Sequence, residues 1–280
     1  MHTYRLLLDV GNTNTKLGVA KGHLILSSFV LPTQAQDTAD TFGLRVMQIF
    51  DHLRLSPRQV QAWVVSSVVP QHNSMIRQAG EKYSNCPVCF VPEDVPLPLR
   101  NLYANPQEVG ADRLVTAYAA RQLVSTSGLV VIDFGTATTL ECVQGLDYLG
   151  GLICPGVFSS LGALAGHTAK LPRISLEHRA NGLEIGKSTA QSMNQGFLYG
   201  FASMIQGLCQ QLKEFLAPDI TVVATGGFAG AISPLCSCLD VVREDLLLLG
   251  LLLAHQKRED RGQRSEVGDQ RSEQRGQKDD

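Results

Sequence analysis

Tyr4-Arg5-Leu6-Leu7-Leu8-Asp9-Val10-Gly11-Asn12-Thr13-Asn14 opens the chain with a nearly continuous apolar run that ends in an acid and turns through glycine and small polar residues. An apolar run of this length, bounded by turn residues, reads as a buried strand. Thr15–Ala20 and His23–Val30 follow as two further strands, with Lys21-Gly22 turning between them. The same order returns at Leu129-Val130-Val131-Ile132-Asp133-Phe134-Gly135-Thr136, followed by strand candidates at Thr138–Val143 and Tyr148–Ile153. Each half therefore begins with a strand ending in aspartate, a Gly/Thr turn, and two short strands.

The halves continue alike. In the first, Phe42, Val46, Ile49, Phe50 and Leu53 recur at helical spacing, and Gln61–Ser66 reads as a strand. Pro70 stands where a helix would start, and Cys86–Val91 reads as another strand. In the second, Ala111–Val124, Phe158–Ala165 and Ser188–Leu216 read as helices and Ile220–Ala224 as a strand. Gly226-Gly227 breaks the chain before a closing helix at Asp245–His255. Internal duplication is the simplest account. It predicts an α/β protein with domains at residues 1–115 and 116–256.

Composition narrows the function classes. The 280 residues are 44% hydrophobic, with net charge −2 and pI near 6.4. That balance carries no electrostatic footprint for nucleic acid or an anionic membrane. The densest apolar stretch, Leu246 to Ala254, is broken by Gly250 and far short of the roughly 20 residues a membrane span needs. Asp9 interrupts the first apolar run too early for a secretion signal, so a cytoplasmic protein is expected. The seven cysteines then read as reduced core thiols; Cys86-Pro87-Val88-Cys89 and Cys236-Ser237-Cys238 have metal-like spacings but would have to meet to form a zinc site. Residues 257–280 hold seven basic and seven acidic residues, one aliphatic (Val267), and two copies of Gln-Arg-Ser-Glu. So little apolar surface predicts a disordered charged tail.

Phosphate recognition needs backbone N–H groups brought close, which small residues after a buried strand permit. The turns at Asp9-Val10-Gly11-Asn12-Thr13 and Asp133-Phe134-Gly135-Thr136 both place that geometry beside a carboxylate, and Thr13, Asn14 and Lys16 add donors. One copy alone is equally a common hairpin; two copies suggest a nucleotide held by both. Each aspartate would suit a cation, directly or through water. No GxxxxGK[ST] run occurs, and no GxGxxG opens a helix after the first strand. Gly110-Ala111-Asp112-Arg113 reads either as a helix start with its acid in the first turn, or as a carboxylate and guanidinium beside a transferred phosphoryl group. The residues by themselves do not choose.

The ordered series Asp9-Val10-Gly11-Asn12-Thr13, Gly110-Ala111-Asp112-Arg113, Asp133-Phe134-Gly135-Thr136-Ala137-Thr138-Thr139, Gly150-Gly151-Leu152-Ile153-Cys154-Pro155-Gly156, Thr168-Ala169-Lys170-Leu171-Pro172 and Gly186-Lys187-Ser188-Thr189 resembles type III pantothenate kinase over about residues 5 to 230. The resemblance implies two ribonuclease H-like domains of the acetate/sugar kinase–Hsp70–actin superfamily, with ATP and pantothenate meeting in the cleft between them. It implies phosphorylation of pantothenate, the first step of coenzyme A biosynthesis, by ATP with Mg²⁺ and a monovalent cation (potassium or ammonium). Asp9, Val10, Gly11, Asn12, Thr13, Asn14, Thr15, Lys16 and Thr136 would bind ATP, and Asp133 the monovalent cation. Asp112 would be the catalytic base, with Tyr103, Gly110, Ala111, Arg113 and Thr189 also on pantothenate. A homodimer is implied, with no nucleic-acid or membrane partner. Plainer roles exist too: Tyr103 as a packed loop aromatic, and Thr189 with Ser188 as a helix cap. His167 and Lys170 are not assigned. Two alternatives on the same fold are a kinase of another small molecule, which substrate screening would reveal, and a non-catalytic transcriptional accessory factor.

Overall fold

The computed structural model describes residues 4–166, 171–177 and 182–260. It divides into two compact units, one made of 4–97, 110–115 and 247–260, the other of 98–109 and 116–246.

In the first unit the apolar runs form β1 (Tyr4–Val10), β2 (Asn14–Lys21) and β3 (Leu24–Pro32), an antiparallel meander. β4 (Val60–Ser67) then pairs parallel to β1, and β5 (Val88–Phe90) parallel to β4, giving the order β3-β2-β1-β4-β5. Alternation sends Leu6, Leu8 and Val10 to one face. There they meet Phe42, Val46 and Phe50 of α1 (Ala39–His52) and Ile76 and Ala79 of α2 (Pro70–Ser84). Thr38 caps α1 with a side-chain bond to the Thr41 N–H, and Pro70 starts α2 where no helical N–H is needed.

Covering for the opposite face comes from the far end of the chain. A helix over 246–260, here α7, is Leu-rich where it begins. Leu248 closes on Gly18 so tightly that a β-carbon there would stand 3.0 Å from its Cδ1. The helix runs beyond the expected His255. Arg5 Nε donates to His255 Nδ1 at 3.2 Å and Arg5 Nη2 to Glu259 at 2.5 Å, while Arg258 Nη1 reaches Cys89 Sγ at 3.2 Å. Residues 257–260, expected in the tail, are therefore helical: polar anchors replace the apolar spacing that ended the sequence reading. Residues 261–280, the rest of that tail, lie outside the described residues.

The second unit repeats the plan. β7 (Gly128–Phe134), β8 (Ala137–Gln144) and β9 (Asp147–Pro155) form the meander; β10 (Ile220–Thr225) pairs parallel to β7 and β11 (Val241–Val242) parallel to β10. The order β11-β10-β7-β8-β9 is that of the first sheet, with β6 (Arg100–Asn101) added beside β9. Two ribonuclease H-like units in tandem make the actin-like ATPase fold. The second core joins Val130, Ile132 and Phe134 to Leu198, Ala202 and Ile205 of α5 (Thr189–Leu212) and Ala229 and Ile232 of α6 (Ala229–Ile232). α4 (Val157–Gly166) precedes α5, and α3 (Ala111–Leu123) has its first residues in unit one and the rest in unit two.

Two placements differ from the sequence division. Residues 98–109 fall with the second unit because β6 pairs with β9, and 247–260 with the first because α7 covers its sheet. The CxxC and CxC cysteines belong to different units, and among the described residues no group of three His, Cys, Asp or Glu is placed to hold a metal. No described helix is long and apolar enough to cross a membrane.

Candidate active site

The first loop follows directly from its strand. After Asp9 and Val10 the Gly11 N–H donates to the Asn14 carbonyl at 3.0 Å, closing the turn. That carbonyl lies 3.0 Å from where a Gly11 β-carbon would stand, so the tight turn selects glycine. Asn12, Thr13 and Asn14 are exposed at the tip. Val10 and Thr15 turn inward, and the Thr15 hydroxyl pairs with that of Thr33 at 2.9 Å. What these two offer a ligand is main chain.

Asp9 sits in register between Lys16 on β2 and Ser66 on β4. Register partners share a face, so an ammonium, a carboxylate and a hydroxyl form one row across three strands. Ser66 is fully buried and its Oγ has no hydrogen-bond partner among the described residues. Ser66 was not among the expected site residues: nothing in a Ser-Ser pair after a strand reveals its neighbour until the parallel register is known.

Asp112 is brought to this loop through Val68. The Val68 N–H donates to the Val10 carbonyl at 3.0 Å, and Val68 Cγ1 lies 3.2 Å from the β-carbon position of Gly110. Gly110 in turn lies under the Asp112 carboxylate, whose Oδ1 accepts the Arg113 N–H at 2.8 Å. A side chain at 110 would collide with that carboxylate. Ala111, Asp112 and Arg113 are all partly exposed at the start of α3.

The second loop is built to the same plan. The Gly135 N–H donates to the Ala137 carbonyl at 3.1 Å, leaving Gly135 and Thr136 exposed. Ser159 Oγ donates to the Thr136 carbonyl at 2.7 Å, and that carbonyl lies so close to Gly156 that no β-carbon fits there. Asp133 is in register with Thr139 and Thr225, the counterparts of Lys16 and Ser66. Its Oδ1 and the Phe134 carbonyl converge beside Gly226, 2.5 and 2.6 Å from where a β-carbon would stand. Gly226 has φ +91, a conformation side-chain-bearing residues rarely adopt.

Tyr103 and Thr189 also lie in the second unit. Arg100 Nε donates to Asp147 Oδ1 at 2.7 Å, pinning β6 to β9, and the Tyr103 N–H bonds Asn101 Oδ1 at 3.0 Å. This sets the Tyr103 ring against Gly150, whose φ of +108 belongs to an irregular stretch of β9. Thr189 follows the capping Ser188, whose hydroxyl accepts the Gln191 N–H at 3.2 Å, and lines a groove of about 540 Å³ between α4 and α5 with Ser160, Met193 and Phe197. His167 and Lys170 lie outside the described residues.

A sequence model described as type III pantothenate kinase matches residues 5–211. The chain belongs to that family. A relative named type III pantothenate kinase from Nitratidesulfovibrio vulgaris (Miyazaki F) is 52% identical over 93% of this chain and 100% of its own. Another of the same name, from Oleidesulfovibrio alaskensis, is 51% identical over 89% and 95%. Among solved structures, a Campylobacter jejuni protein provisionally described as a Baf family transcriptional activator superposes with TM-score 0.54 at 17% identity, over 91% of this chain and 99% of its own. At that identity the likeness carries the fold and not the activity. As a type III pantothenate kinase family member the chain is a phosphoryl-transferring enzyme whose donor is ATP. The loops at Asp9 and Asp133 lie within the matched stretch.

Proposed function

We propose that the chain transfers the γ-phosphoryl group of ATP to the hydroxyl of pantothenate, giving 4'-phosphopantothenate for coenzyme A synthesis, with Asp112 as the base. One observation carries the assignment of Asp112. Its seat on Gly110 rests on Val68, and Val68 is hydrogen-bonded to Val10 within the loop that follows Asp9.

In this reading Asp112 orients the pantothenate hydroxyl and accepts its proton as the oxygen attacks the γ-phosphorus. The bond from that phosphorus to the bridging oxygen breaks, and ADP leaves. The transition state is loose, so most of the acceleration comes from positioning and from charge stabilisation. Asn12, Thr13, Asn14 and Lys16 present polar groups to the phosphates, with main chain from Asp9 to Thr15 and the second loop at Thr136. Gly110, Ala111, Arg113, Tyr103 and Thr189 hold pantothenate; Arg113 is suited to its carboxylate.

ATP brings Mg²⁺, and a monovalent cation is assigned to Asp133. The Asp133 Oδ1 and Phe134 carbonyl oxygens that converge beside Gly226 suit a hard cation. An ion held by these oxygens would offset negative charge on the ATP phosphates. A homodimer is supported by the apolar α4–α5 groove, lined by Leu164, Met193, Phe197 and Phe201, with Leu164 40% exposed. A cytoplasmic setting is supported by the seven free cysteines.

Replacing Asp112→Asn tests the base. Turnover with pantothenate should fall by about 10²–10⁴, the usual worth of a positioned acid–base group, with the KM for ATP little changed. A variant that phosphorylates pantothenate at the wild-type rate overturns the assignment.

A further inference from the structure

Three cysteines with no part in phosphoryl transfer meet inside the second unit. Ala202, Gln206 and Cys209 follow one another along one face of α5. Residues 235–238 are tied along that face. Cys236 Sγ donates to the Ala202 carbonyl at 3.6 Å, and Gln206 Nε2 donates to the Leu235 carbonyl at 3.3 Å and to Ser237 Oγ at 3.4 Å. At the end of this lattice Cys209 and Cys236 lie in the second core with Cys238 packed against it, close enough for the three thiols to share protons. All three are free; Cys209 and Cys236 are buried and Cys238 is partly exposed.

Thiols this close hold their protons unequally. The neighbouring Cys209 and then Cys236 thiols pull Cys238 well below the ordinary thiol range, and nearby Lys213 adds to it. Closeness to Cys238, with burial, raises the other two. Three coupled thiols lose a first proton easily and hold the next two, and the charge settles on the most accessible sulfur. Elsewhere burial pushes the Cys86 and Cys142 thiols up to about 11 and raises Cys154.

We propose that Cys238 is an oxidation site, which hydrogen peroxide converts to a sulfenic acid that Cys209 captures as a disulfide, stapling the 236–238 segment to α5. In the first step the Cys238 sulfur attacks one peroxide oxygen, the O–O bond breaks, and the departing hydroxide is protonated to water. In the second the Cys209 sulfur attacks the Cys238 sulfur, the S–O bond breaks, and the hydroxide leaves with the Cys209 proton as a second water. One peroxide is reduced and two thiols are oxidised. Cys209 is the resolving thiol because Cys236 gives its S–H to the Ala202 carbonyl.

The test uses the full chain. After peroxide treatment, blocking with N-ethylmaleimide and digestion, mass spectrometry should find the Cys209 peptide joined to the Cys238 peptide, separable by dithiothreitol. In Cys209→Ser the same treatment should leave a dimedone-reactive sulfenic acid on Cys238. Without oxidant, limiting iodoacetamide should label Cys238 ahead of Cys154 in the wild-type protein, a reading that needs no variant. A Cys236–Cys238 bridge, the absence of any Cys238 disulfide, or equal labelling of Cys154 overturns the proposal.

Discussion

Asp133 shows how a single carboxylate takes its character from glycines around it. Only a residue without a β-carbon fits at 226, because Asp133 Oδ1 and the Phe134 carbonyl occupy the space a side chain would need. The two oxygens thereby close on the Gly226 backbone, and in the proposed reading they are the ones that serve the cation. Asp133→Asn removes the charge and keeps the shape. The potassium concentration needed for half-maximal activity should rise on the order of tenfold, equivalent to about 1.4 kcal/mol. Initial rates measured across a potassium series, at constant ionic strength, check this; an unchanged half-maximal concentration would move the cation elsewhere. The residue types of both loops were legible in the sequence. The Ser66 and Thr225 hydroxyls flanking the two aspartates were not, since they come from strands distant in the chain.

At the scale of elements, α7 is the clearest case of a piece whose role depends on where it lands. Its leucines read as a buried helix, but nothing along the chain says which sheet they bury against. The structure gives those from 247 onward to the first unit, where Leu248, Leu251 and Leu252 are fully buried and Leu248 faces Gly18. Leu248→Ala should therefore destabilise the first unit by about 2–5 kcal/mol, the cost of a cavity in a close-packed core. Trp63 is the sole tryptophan and lies buried in that unit's core, so denaturant titration followed by its fluorescence reads the loss directly. A midpoint equal to wild type would mean that the helix does not hold the sheet. The same element corrected the boundary of the tail: Arg258 and Glu259 belong to a helix, bound by Cys89 and Arg5. A charge run without apolar periodicity carries no sign of such anchors.

For the whole molecule the question is assembly. On α5, no described residue occupies the space where side chains at Gly196 and Gly200 would be, and Phe197 and Phe201 stack beside them at 6.1 Å between ring centroids. A helix face with close backbone access and large apolar neighbours suits packing against another surface. Sedimentation should give a particle of twice 30.3 kDa, and Gly200→Arg should shift it to the monomer while the far-UV circular dichroism stays that of the parent. A variant that remains dimeric would place the contact on another face.

What the sequence by itself determined is local and repeated: two apolar runs ending in Asp9 and Asp133, glycine turns after them, and helices where apolar residues recur at helical spacing. These are written in neighbouring residues, because strand burial and turn geometry act over a few positions. Only tertiary structure decided what is written in pairs far apart. The parallel register put Ser66 beside Asp9 and Thr225 beside Asp133, and β6 carried residues 98–109 to the second unit. The packing of 235–238 on α5 supplied Cys209, and not the CxxC, as partner to the CxC. Long-range contacts fix which faces meet, and periodicity tells only that a face is apolar, never which partner covers it.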